Sequence, residues 1–227
     1  GLQVQPFKKG PDYIDPLWLT AASQRACHNL DFNTMLPLEI QQTVQHYAQD
    51  ADIAIIEANK GLYHGMALSG EDSNAALAKL LQTPVVLVVD CRGMTRGIAP
   101  LLLGYQAFDQ QVNIAGIILN RTGGTRHIAK LRESIEHYTD IKVLGAIANS
   151  ARLEIEERHL GLMPSNEVSQ ASQQIAQIAQ QVGDQVDLAL LMQLAQQAPA
   201  LNGPVLDLSH STQSKVRIGI CQDAAFG

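Results

Sequence analysis

The chain is short of several things, and each scarcity narrows its class. Of its 227 residues only 4% are aromatic and 17% are charged, with 16 Lys and Arg against 22 Asp and Glu and a net charge of -6. The basic residues are scattered and form no block, so the chain carries no nucleic-acid footprint. No apolar run approaches the roughly 20 residues that a membrane-spanning helix needs. No signal-peptide pattern opens the sequence. Cysteine occurs three times, as the widely separated Cys27, Cys91 and Cys221. That spacing argues against a disulfide framework or a thiolate metal cluster, and it suits small, buried, reduced thiols in a cytoplasmic protein. There is no internal repeat.

What is present is a hydrophobic share of 46%, enough for one sizeable core or one domain and the start of another. Short β-branched runs alternate with longer amphipathic stretches. Strands are expected at 2–7, 52–57, 84–90, 113–119 and 142–147, and helices at 38–49, 73–82, 96–108 and 125–138. In the last helix Ile128, Leu131, Ile135 and Tyr138 share one face. The runs 53–56 and 85–89 are continuously apolar, as in parallel strands buried on both faces. This alternation predicts a doubly wound α/β domain. From Asn166 a Gln-rich segment runs to Ala198, with Val168, Ala171, Ile175, Ile178, Val182 and Val186 at helical spacing. Gly183 is expected to divide it into two helices packed at the domain edge. Residues 199–214 read as a linker and 215–227 as the first strand of another domain. Gly1 is not a start methionine and Gly227 closely follows a strand-like run, so a fragment of a domain spanning 1–198, cut at both ends, is expected.

Chemistry concentrates at expected strand ends. The stretch 4–16 reads as a strand that stops in a loop carrying Lys8, Lys9, Asp12 and Asp15. Ligands of open α/β sheets bind outside the carboxyl ends of the strands. Lysine with aspartate suits phosphate and a hard cation; a solvated turn is the plainer reading. Glu57 ends an apolar strand, where a carboxylate faces the crevice or is paired structurally. Asp31 assists a metal or caps the next element. Asp90 is an ordinary strand-end aspartate or a second acidic site. Asn120 and Arg121 end the next strand, where an Asx turn before Gly123 is the bland alternative. Arg158 and His159 belong to a charged run that also suits a solvated helix face.

Taken in order, Phe7-Lys8, Gly10-Pro11-Asp12-Tyr13-Ile14-Asp15-Pro16, Asn29-Leu30-Asp31, Ile56-Glu57, Gly61-Leu62-Tyr63, 86–90, 116–121 and 157–162 resemble the cobyrinic acid a,c-diamide synthase family. Its members are glutamine-dependent, ATP-driven amidotransferases acting on tetrapyrrole side-chain carboxylates. The resemblance covers nearly the whole chain. It implies a doubly wound, mostly parallel sheet of the dethiobiotin-synthetase-like phosphate-loop type. It implies ATP and Mg2+ as cofactors, with Asp12 and Glu57 toward the metal, Asp15 placing substrate and Lys8 on phosphate. Asp31, Asp90, Asn120 and Arg121 would serve the nucleotide, Asn120 through the donor and acceptor of its amide. Tyr13, Tyr63, Arg158 and His159 would meet the tetrapyrrole. Residues 217–226 resemble the start of a glutaminase domain that supplies ammonia, whose nucleophile would lie beyond Gly227 and is not Cys221. A homodimer is left open.

Two departures stand out. The G-x-x-x-x-G-K-[ST] phosphate loop that the family places ahead of the opening segment is absent here, and with it the first strand. His64 stands where the family carries an active-site aspartate, and a neutral imidazole supplies no fixed negative charge. Residues 57–61 also depart from the family's commoner form, which keeps sirohaem or nickel-sirohydrochlorin carboxylates as alternative substrates. Dethiobiotin synthetase fits 10–16 and 158–162 poorly. A non-catalytic nucleotide-switch protein of the same fold is a rival of another class, and 223–226 argue against it.

Overall fold

The computed structural model describes residues 1–155, 157–158, 161–165, 170–201 and 219. The expected linker beyond 201, the strand from 215, His159, Val168 and Cys221 lie outside the described residues.

In chain order the elements are β1 (Val4–Lys9), α1 (Ile14–Ser23), β2 (His28–Leu30), α2 (Pro37–Ala48), β3 (Ile53–Glu57), α3 (Asn74–Leu81), β4 (Val85–Asp90), α4 (Ile98–Phe108), β5 (Ile114–Thr122), α5 (Thr125–Tyr138), β6 (Lys142–Ala148), a 3-10 turn (Ala151–Leu153), β7 (Glu157–Arg158), β8 (Gly161–Leu162), α6 (Ala171–Gly183) and α7 (Leu188–Ala195). The chain divides into two compact units, Gly1–Asn59 with Ile155–Gln173 and Lys60–Glu154 with Gln174–Ala200. Among the described residues no helix is long and apolar enough to cross a membrane.

The first unit holds a parallel sheet in the order β2-β1-β3. β1 is central and buried from Gln5 to Lys8. Its one buried amide, Gln5, is satisfied: Nε2 donates to the Pro6 and Ala26 carbonyls, and Oε1 accepts from Arg25. Arg25 also reaches the carbonyls of Tyr47 and Asp50 at the end of α2, where a cation complements the helix dipole. α2 opens on Pro37, which loses nothing at the first helical position. The Glu39 carboxylate accepts the Leu36 amide at 2.6 Å. Ile40 and Val44 face the core with Phe7 and Leu30. The short antiparallel pair β7–β8 follows, and Trp18 of α1 donates its indole N–H to the Met163 carbonyl at 2.8 Å.

The second unit holds the parallel order β4-β5-β6. Ile98, Leu102, Ile117, Leu119, Leu131 and Ile135 form its core. A second cluster joins Leu144 and Ile147 of β6 to Val186 and Leu194. α3 is capped by the Ser73 hydroxyl, which accepts from the Ala76 amide.

The expected alternation and the division at Gly183 hold, and α2 to α5 lie close to the expected spans. Four readings change. β1 continues through Lys9, so both lysines are on the strand and not in the loop. The stretch after Pro11 is largely helix α1; Pro16 falls in its first turn, where a missing N–H costs nothing. β5 runs to Thr122, which places Asn120 and Arg121 on the strand, with Arg121 in the left-handed region at φ 53. Finally, β3 and β4 are not buried on both faces. Ile55 is 44% and Val88 62% exposed, and each strand is an edge strand among the described residues.

Candidate functional site

At the carboxyl end of β1 one buried ammonium meets three carboxylates. Lys8 is 3% exposed. Its Nζ lies 2.6 Å from Asp15, 3.6 Å from Glu57 and 3.9 Å from Asp12. Glu57 arrives because Lys8 and Glu57 are register partners on adjacent strands, which sets their side chains side by side. Asp12 turns the chain into α1: one carboxylate oxygen accepts the amides of Ile14 and Asp15 at 2.9 and 3.2 Å, leaving the other for Lys8. Asp15 sits in the first turn of α1, where the helix dipole favours an anion. The turn requires glycine at position 10, since a Cβ there would stand 2.7 Å from Asn29 Oδ1. Asn29 in turn donates to the Asp12 carbonyl at 2.6 Å.

Three carboxylates against one ammonium leave the cluster short of positive charge. Burial lowers the Lys8 pKa, but the Asp15 hydrogen bond and the charges of Glu57, Asp15 and Asp12 outweigh it and hold the ammonium above its ordinary value. Desolvation pushes the Glu57 carboxyl up, and Lys8 opposes this. Nearby Cys27 is pushed up to about 11, by burial and then by the Glu57 charge, so its thiol stays protonated and unreactive. Among the described residues no group of three or more His, Cys, Asp or Glu is arranged to hold a metal unaided. The donor set is nevertheless hard oxygen, and magnesium takes only one or two carboxylates when phosphate and water complete its shell. Asp12 and Glu57 fit that partial role.

Other expected site residues lie elsewhere. Asp31 is buried, and its carboxylate accepts from the Asn33 amide and side chain and from the Thr34 hydroxyl; these contacts build the turn after β2. Tyr13 is 69% exposed at the start of α1. Arg158 is on β7, paired with Gly161.

In the second unit, Asp90 and Asn120 are register partners at the ends of β4 and β5. The Asp90 carboxylate is gripped by Arg92 at 2.7 to 3.1 Å and touched by Arg121 at 3.3 Å. Hydrogen bonds from Arg92 above all hold it far below the usual carboxylate range. Asn120 Oδ1 accepts the Arg121 amide at 2.9 Å. Tyr63 gives its hydroxyl to the Tyr105 carbonyl at 2.6 Å, and its ring packs against Tyr105 and Phe108. Its phenol is pushed up, by burial first and then by Asp109. His64 is exposed, its amide closing a turn onto the Gly61 carbonyl at 3.1 Å. The following loop is held by Asp72, whose carboxylate accepts the amides of Met66 and Ala67.

His127 had no spacing to recommend it in the sequence. In the structure its ring bridges the Gly123 amide and the Met94 carbonyl. Its position in the first turn of a helix that begins beside a strand end is the one signal that could have found it.

A family model described as an AAA domain matches residues 7–157. The chain is 45% identical over 234 residues to a cobyrinate a,c-diamide synthase of Magnetococcus marinus, covering 100% of this chain and 50% of the relative. It is 38% identical over 225 residues to one of Methanobrevibacter smithii, covering 98% and 50%. It is 39% identical over 240 residues to one of Methanosarcina acetivorans, covering 100% and 48%. The chain thus spans about half the length of the curated relatives it matches.

Proposed function

This chain belongs to the AAA domain family and resembles cobyrinate a,c-diamide synthases along its whole length, and on that premise we propose that it is the ATP-handling part of an enzyme that amidates tetrapyrrole side-chain carboxylates in the cobalamin pathway. The observation that carries the reading is the Lys8 cluster, a buried ammonium with three carboxylates at the end of a parallel strand.

In the proposed reaction a carboxylate oxygen of the tetrapyrrole attacks the γ-phosphorus of ATP, and ADP departs. Ammonia then adds to the acyl phosphate, loses a proton and expels phosphate. The ammonia comes from glutamine on a glutaminase domain of the same protein. Within this chain Lys8 supplies a fixed positive point charge to the phosphates. Asp15 orients that ammonium. Asp12 and Glu57 would hold Mg2+, which when bound neutralises charge on the phosphates. Asn120 hydrogen-bonds the adenine, with Arg121 and Asp90 beside it. Tyr13, Tyr63, Arg158 and His159 receive the tetrapyrrole carboxylates, and His64 takes the place of the family's active-site aspartate.

The test uses the full-length protein that carries this chain, supplied with ATP, magnesium, glutamine and cobyrinic acid. Amide product with matching ADP is expected. Glu57→Gln, which keeps the shape and removes the charge, should lower turnover by about 10²-fold or more while circular dichroism stays unchanged. Turnover near wild type with unaltered magnesium dependence would make Glu57 structural. Product from sirohydrochlorin in place of cobyrinic acid would move the substrate assignment.

A further inference from the structure

Beyond Asp90 the chain enters the loop 91–97, and beyond Asn120 and Arg121 it turns at Gly123 and Gly124 into α5. One side chain ties these two loops together. His127 Nδ1 lies 2.9 Å from the Gly123 amide nitrogen, and Nε2 lies 2.6 Å from the Met94 carbonyl oxygen. An amide can only donate and a carbonyl can only accept, so both contacts are satisfied by a neutral ring with its proton on Nε2. The ring packs closely over Gly123, where an added Cβ would stand 3.1 Å from Nδ1. Two residues earlier, Arg121 holds a left-handed φ of 53. A non-glycine residue keeps that conformation only where its surroundings over-determine it. The Asp90 contact restrains its side chain and the Gly123 pin restrains the backbone that follows.

We propose that His127 is a positioning residue for the nucleotide-base end of the site: as an Nε2–H imidazole it locks the loops after β4 and β5 to one another and so sets where Asn120 and Arg121 present themselves. This rests on the reading that Asn120 meets the base. His127 itself touches neither substrate nor nucleotide in this scheme. Its effect therefore falls on ATP affinity and spares the tetrapyrrole.

Two measurements test it. In this chain, a long-range 1H–15N imidazole spectrum should show His127 as the Nε2–H tautomer. An Nδ1–H ring, or two tautomers in fast exchange, would overturn the assignment. In the full-length protein, His127→Ala should raise the KM for ATP about tenfold, with kcat within about threefold and the tetrapyrrole KM unchanged. His127→Asn retains an acceptor for Gly123, and His127→Gln retains a donor toward Met94. Each should recover part of the loss, and both keep the test alive if the alanine variant fails to fold. An unchanged ATP KM in all three variants, or proportional losses in kcat and both KM values, would overturn the proposal. Asn120→Ala, run in parallel, separates the two failures. If it leaves the ATP KM unchanged, the base-contact reading falls and takes His127 with it. If it raises the ATP KM while the His127 variants do not, only the role of His127 falls.

Discussion

A single half-buried histidine at the edge strand of the first unit shows how strongly local surroundings set a residue's behaviour. His28 on β2 stacks face to face on Tyr47, with ring centroids 3.6 Å apart, while His46 lies edge-on to Tyr47 at 4.8 Å. Burial first, and then the nearby His46, lower its pKa from 6.5. The unfolded chain therefore takes up a proton at this site before the folded one does. Stability is complete above pH 6.5, is lost as the pH falls below it, and stops falling once the folded site has also protonated. His28→Phe keeps the ring stack and removes the titration. The variant should lose less stability than the wild type between about pH 7.5 and 5, as read from urea midpoints. Parallel pH curves for the two proteins would assign the acid sensitivity to other groups. Lys8 makes the complementary point. Its ammonium tolerates burial because Asp15 bonds it directly, whereas the partners of Asp31 make that carboxylate a turn-former.

At the scale of elements, the segment between α6 and α7 acts as a clip on β6. The Asp187 amide donates to the Leu144 carbonyl at 2.7 Å, and the Ala146 amide donates to the Gln185 carbonyl at 3.3 Å. The Gln185 side chain accepts the Ala148 amide at 2.9 Å. The Gly145–Val186 bridge is antiparallel, so a strand edge that would otherwise invite pairing is covered. This close approach needs glycine, because a Cβ on Gly145 would collide with the Gln185 carbonyl oxygen and the Val186 backbone. Gly145→Ala should cost about 1 to 3 kcal/mol. Amide exchange should speed up at Ala146 and Asp187 ahead of the core of α5. Wild-type exchange at those two amides would show that the clip tolerates the methyl group. The Gln-rich segment thus has a structural duty: Val186 and Leu194 pack on β6, and the Gln174 and Gln185 side chains donate to backbone carbonyls.

For the molecule as a whole, the two sheets share one feature. β3 and β4 each leave an apolar edge unpaired among the described residues, with Ile55 and Val88 exposed. Exposed apolar edges promote association. The chain on its own should self-associate as its concentration rises, and Val88→Lys should shift sedimentation toward the monomer while leaving the melting temperature within about 2 °C. Concentration-independent sedimentation of the unmodified chain would show that these edges are shielded in solution.

The amphipathic helices α2 to α5 and the five long strands were legible because helical spacing and β-branched runs are local properties of the chain. Lys8, Asp12 and Asp15 were legible for the same reason, being neighbours at one strand end. Other features were hidden by short length or by a misleading signal. β2 has three residues, and Pro16 made α1 look like a loop although proline is at home in a first helical turn. The sequence by itself determined the α/β alternation, the placing of Lys8, Asp12 and Asp15 around one strand end, and the family resemblance. Tertiary structure alone decided that Glu57 stands beside Lys8, that Arg121 reaches Asp90, and that His127 ties two loops together. Those pairings depend on strand register and on contacts between residues about 30 to 50 positions apart, which no local periodicity encodes.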